Sequence, residues 1–121
     1  MLKLVSIAAM ILGAASAPNP DAAHDVTIYV HKDHIEVATQ EKLYGIQFDH
    51  SNCDLKALKD HDLEIHNSDK VALAYSPVGK YIDANSQSKL FDISSDCVLK
   101  KPIAAGEKGR KLSVAVKHHN K

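Results

Sequence analysis

Apolar and polar residues alternate with a period of two along most of this chain, and no stretch sustains the 3.6-residue period of an amphipathic helix. Over residues 26–31, Val26, Ile28 and Val30 fall on one side and Thr27, Tyr29 and His31 on the other. After Lys32 and Asp33 the pattern resumes with Ile35 and Val37 against His34 and Glu36. Two such runs joined by a two-residue turn put every apolar side chain on one face, which predicts a hairpin. A third strand is expected over 43–48, with Gly45 as a candidate bulge position. Asp54 reads as the cap of a single helical turn presenting Leu55 and Leu58 to the core, with Lys56 and Lys59 in solvent. Strands follow over 62–66 and 71–75, around Tyr81, and over 89–93 and 97–99, before Pro102 and the glycine-bearing loop 106–109. Residues 111–117 carry the cleanest alternation, Leu112, Val114 and Val116 against Lys111, Ser113, Ala115 and Lys117. Short strands at this spacing, with turn residues between them, predict an all-β fold, a small antiparallel β-sandwich or barrel of about six to seven short strands.

The first seventeen residues depart from this pattern. Lys3, the apolar run from Leu4 to Leu12 and the small residues Ala15, Ser16 and Ala17 have the layout of a secretory signal peptide, 1–17. The run is far shorter than the roughly 20 residues needed to cross a bilayer. The expected product is a secreted, extracellular protein with no membrane association, a flexible lead-in at 18–24 and a single β domain at 25–121. Cys53 and Cys97 lack metal-type spacing, and in an oxidising route the pair reads most simply as one disulfide. Closing a loop of about 45 residues would stabilise the fold by roughly 3–4 kcal/mol. Two buried free thiols are the rival reading.

Charge refines the picture. The net formal charge is zero, yet residues 21–97 hold fourteen acidic and seven basic side chains, while 98–121 hold seven basic ones against Glu107 alone. A basic segment of this kind steers a protein to anionic surfaces or guards an exposed edge strand with lysine. The balance is not basic enough overall to indicate nucleic acid as a partner.

Eight histidines stand in 121 residues. In the expected hairpin His31 and His34 face one another across the polar side with Glu36 on the same side, a donor set suited to Zn or Cu, although two strand-borne histidines with no matching third ligand motif are more often plain surface residues. His118 and His119 form a weaker pair. Histidines also titrate near pH 6.5, so a histidine-rich secreted chain could respond to acidification. Asp49, His50 and Ser51 adjoin in sequence without forming a triad by that fact. A small secreted ribonuclease or other hydrolase would cast His31, His34 and Glu36 as acid and base with Arg110 on a phosphate. No nucleophile-elbow, zincin or phosphate-loop motif is present, and no catalytic residue and no cofactor is assigned.

The signal peptide, the mature length, the widely spaced pair Cys53 and Cys97 and the serial short strands resemble secreted fungal candidate effectors. In layout the chain is similar to the MAX effectors, six-stranded β-sandwiches usually carrying a disulfide between their sheets. Members often have their first cysteine near the first strand, whereas here a hairpin precedes Cys53. The resemblance implies a non-enzymatic, monomeric virulence protein that enters host cells and binds host proteins through exposed strands and surface patches. Strand edges can add to a partner's sheet, so the closing strand, with Lys111, Ser113 and Lys117, and the first hairpin edge, with Tyr29 and His31, are the expected partner-binding positions. A secreted hydrolase, and a metal- or cell-wall-binding protein using His31, His34 and Glu36, are the alternatives.

Overall fold

Over residues 26–37 the chain follows its alternation. In the computed structural model, which describes residues 23–50, 53–59 and 61–118, β1 (Val26–Val30) and β2 (His34–Thr39) form the expected antiparallel hairpin. Val30 lies opposite Ile35 and Tyr29 opposite Glu36, and the His31 N–H donates to the His34 carbonyl at 2.9 Å. The expected signal peptide, residues 18–22 of the lead-in, Ser51 and His119 lie outside the described residues.

The remaining strands are β3 (Gly45–His50), β4 (Leu55–Ala57), β5 (Glu64–Asn67), β6 (Val71–Tyr75), β7 (Ser86–Ile93), β8 (Leu99–Ala105), β9 (Lys111–Leu112) and β10 (Val114–His118). They build two five-stranded sheets, the first in the order β10-β1-β2-β7-β4 and the second β5-β6-β3-β8-β9. Every pair is antiparallel except β1 and β10, which run parallel. The expected β-sandwich is thus present, with ten strands among the described residues where six to seven were expected. Their inner faces meet in one core, where Phe48 from the second sheet and Phe91 from the first pack edge to face, ring centroids 6.0 Å apart.

Several local expectations give way to pairing partners distant in sequence. Residues 55–57 are a strand and not a helical turn, because Leu55, Lys56 and Ala57 pair with Ile93, Asp92 and Phe91 of β7. Around Tyr81 there is a single bridge, Leu43 to Ile82. Gly45 pairs regularly on both sides, and the irregularity in β3 falls between Gln47 and Asp49. There β8 continues through Pro102, whose missing N–H lies where the ladder is interrupted and Lys101 adopts a φ of 53°.

The expected strand 111–117 is two strands in different sheets. Lys111 and Leu112 close the edge of the second sheet on β8, and Val114 to His118 pair with β1 in the first. The change of sheet occurs at Ser113, held by a residue far away in sequence: the Ser113 N–H and hydroxyl both donate to Asp25 Oδ2, at 3.0 and 3.3 Å. The Asp25 N–H in turn meets Ser113 Oγ at 2.9 Å, and the Val26 N–H donates to the Ser113 carbonyl. One further correction follows: β1 is no edge strand, since β10 pairs one side of it and β2 the other.

Cys53 and Cys97 form a disulfide, Cα atoms 5.3 Å apart, so the free-thiol reading is excluded. Cys53 lies where the chain passes from β3 in the second sheet to β4 in the first, and Cys97 where it returns from β7 to β8. The bond therefore joins two crossings between the sheets, which ties both layers together at that end.

Candidate functional site

Two outward surfaces concentrate recognition chemistry. The first is the tip of the β1–β2 hairpin. Because His31 and His34 flank the two-residue turn, their rings lie face to face with centroids 4.2 Å apart. His31 Nε2–H donates to Glu36 Oε1 at 3.0 Å, and His34 Nε2 stands 3.9 Å from the same oxygen. His34 Nδ1–H donates to Asp33 Oδ1 at 2.7 Å, and this bond holds the exposed Asp33 carboxyl below the usual carboxylate range. In the neutral ring that leaves the Nε2 lone pair of His34 pointing away from Asp33. Tyr29 extends the stack, 6.2 Å from His31, and its cross-strand neighbour is Lys117 on β10. The sequence-expected trio His31, His34 and Glu36 is therefore brought together.

The second surface is the outer face of the second sheet, which sequence reasoning missed. Strand register lines up two rows across it. One row runs Glu64, Tyr75, Gly45, Ala105 and Lys111, the other His66, Leu73, Gln47 and Ile103. The first row drops to glycine and alanine at its centre while Tyr75, Leu73 and Ile103 stand beside it, and a depression of about 540 Å³ results. Gly45 forms its floor: a methyl group there would sit 3.6 Å from the Ala74 carbonyl, in ordinary contact, so the gap is the missing side chain and not backbone strain. Ile103 is 52% exposed, unusual for a large aliphatic side chain in mid-strand. Ser76 Oγ lines the depression, buried and with no hydrogen-bond partner among the described residues. On the rim, Tyr75 O–H donates to Glu64 Oε2 at 2.8 Å and His66 Nε2–H donates to the same oxygen at 2.9 Å. Chiefly the His66 bond, then the Tyr75 bond, lowers the Glu64 pKa, while Glu64 raises that of Tyr75.

The other expected positions separate. Lys111 closes a row of the second sheet, Ser113 is the clasp between sheets, and Lys117 lies on the first sheet, so the three share no strand. Tyr29 and His31 sit on a sheet face and at a turn, with no open strand edge. The ribonuclease cast is not assembled. Arg110 pairs with Glu41 at 3.8 Å, beyond the Thr39 end of β2, whereas His31 and His34 are at its other end, about 16 Å off along the five residue rises of that strand. His50 is buried, donates Nε2–H to the Ser68 carbonyl at 2.9 Å and turns Nδ1 toward the disulfide, 3.9 Å from Cys53 Sγ. His118 Nε2 accepts from the Leu99 N–H. Among the described residues no helix is long and apolar enough to cross a membrane.

No family model matches the chain, and no curated protein matches it. Among solved structures it is similar to a non-cellulosomal cohesin from the hyperthermophilic archaeon Archaeoglobus fulgidus, with 8% identity and a TM-score of 0.49 over 77% of this chain and 85% of that one. It is also similar to a type I cohesin solved in a cohesin–dockerin complex from Clostridium thermocellum, with 9% identity and a TM-score of 0.46 over 85% of this chain and 94% of that one.

Proposed function

We propose that the protein is a secreted, non-enzymatic binding module that engages a partner protein with the outer face of its second sheet. The observation that carries this reading is the arrangement of that face: an apolar centre of Leu73, Tyr75 and Ile103 around the Gly45 depression, with Glu64, His66, Lys108 and Lys111 at its margins. An apolar centre inside a polar rim is the anatomy of a protein interface, and the vacant floor accepts one anchoring side chain. Five strands about 4.8 Å apart and averaging about five residues offer roughly 300 Å². That is well below the roughly 800 Å² per partner of a standard interface, so the fitting occupant is a loop or short segment of the partner. Lys108 and Lys111 favour an acidic residue beside the anchor. In the host-directed setting that the effector resemblance implies, the partner belongs to the host.

The test uses the purified chain on a resin against a plant host extract, in parallel with Ile103→Glu and Lys117→Glu. A partner kept by the native chain and by Lys117→Glu but lost with Ile103→Glu supports the reading. Retention by Ile103→Glu together with loss by Lys117→Glu moves recognition to the β10 edge and overturns it.

A further inference from the structure

The hairpin tip carries a second kind of recognition. We infer that His31 Nε2, His34 Nε2 and Glu36 Oε1 form a site for one divalent transition-metal ion of the zinc or copper kind. One ligand atom from each of the three side chains lies within 4.8 Å of the others, and all three residues are partly buried, so their positions are set by neighbours. Two ligands on one tetrahedral ion, each about 2.05 Å from it, stand about 3.3 Å apart. The separations to Glu36 Oε1, 3.0 and 3.9 Å, bracket that value. Gathering the trio around an ion takes side-chain movement on the order of 1 Å at that bond length.

A second observation is independent of these distances. Asp33 accepts from His34 Nδ1 at 2.7 Å, which assigns the proton to the nitrogen away from the site and leaves Nε2 to bind. A carboxylate on the far nitrogen of a ligating imidazole is the usual second partner at metal sites, where it fixes ring orientation and raises basicity. At His31 the hydrogen bond to Glu36 marks the place an ion would take. Binding there moves the ring proton to Nδ1 or releases it, and the ion bridges the same nitrogen and oxygen. Imidazole and carboxylate together suit Zn²⁺ or Cu²⁺ better than Mg²⁺ or Ca²⁺, which favour oxygen alone.

The surroundings carry charges of both signs. Asp92 lies opposite His34 and Lys89 opposite Glu36, while Lys117 stands beyond Tyr29. With three protein ligands and the His31 side chain 32% exposed, the fourth coordination position opens to solvent. Such a position admits water, or a ligand atom offered by another molecule.

The decisive experiment is titration of the chelator-treated full chain with Zn²⁺, and separately Cu²⁺, by calorimetry and by ¹⁵N NMR of the imidazoles. The expected result is one ion per chain, with the His31 and His34 Nε2 resonances moving together and those of His50 and His66 unmoved. Glu36→Gln and His34→Ala should weaken binding at least tenfold, and Asp33→Asn by roughly 10-fold to 100-fold as a change to an outer-shell partner. His66→Ala should bind like the native chain. No saturable binding overturns the inference, as does binding that survives His34→Ala or shifts other imidazoles in place of these two. The NMR readout on the native chain keeps the test decisive even where a variant folds poorly.

Discussion

The two outer faces of this sandwich teach opposite lessons about how a site is made. At the tip of the first sheet, His31, His34 and Glu36 come from one hairpin and six consecutive positions, and the turn alone brings them together. On the second sheet, Tyr75, Gly45 and Ala105 come from three strands that only the register places side by side. A site held within one hairpin gathers a few polar atoms at short range, the right scale for an ion. One assembled over several strands gains area and relief, the right scale for a polypeptide. The inner faces do not share this contrast, since both contribute large apolar side chains to the same core.

The comparison can be pressed at decreasing cost. The largest effect is expected inside, where Phe48→Ala and Phe91→Ala, one from each sheet, should each destabilise the fold by about 3–5 kcal/mol in urea titrations. A much smaller effect of one would show that the sheets do not share the core equally. On the outside, Ile103→Glu should stay within about 0.5 kcal/mol. Replacing Cys53 and Cys97 together by serine should cost roughly 3–4 kcal/mol, and reducing agent should then leave the variant's midpoint unmoved.

Smaller effects separate the second sheet from the clasp. In Gly106→Ala the new methyl would meet Leu112 Cδ2 at 3.0 Å, and since Leu112 is 2% exposed it has little room to give. A loss of about 1–3 kcal/mol is expected from such overpacking. The smallest is a pH effect on the rim of the depression. Because His66 and Tyr75 depress the folded-state pKa of Glu64, its ionised form contributes stability above the ordinary value of 4.5, and that contribution fades as pH falls through the lower folded value. Glu64→Gln should therefore unfold at lower urea than the native chain near neutrality, with the difference disappearing in acid. A difference that grew on acidification would contradict the assigned hydrogen bonds.

How much of this was legible in the sequence depended on how far each decision reached. Val26, Ile28 and Val30 against Ile35 and Val37 encode a hairpin within twelve residues, so both the pairing and the meeting of His31, His34 and Glu36 could be read directly. The alternation from Leu112 to Val116 was equally clear and misleading, because period two survives a change of sheet and the hand-over at Ser113 is decided by Asp25. Leu55 to Ala57 is too short for either period to show, and β7 decides it. The depression was invisible for the same reason: Gly45 reads as a possible bulge until Tyr75 and Ala105 are known to flank it. A half-exposed Ile103 carries no mark in the sequence that sets it apart from a buried one.

The parallel pairing of β1 with β10 also orders events in time. Asp25 and Ser113 are 88 residues apart, and neither the clasp nor the β10 ladder can form until residue 113 and those after it have been made. A chain synthesised from its amino end therefore displays the free side of β1 as a bare template through most of its own synthesis, and only the last described strand covers it. Closing so wide a span is slow by comparison with the neighbouring hairpin. Truncation ahead of Val114 would make the bare edge permanent, and chain-to-chain pairing along β1 is the behaviour to expect of such a fragment.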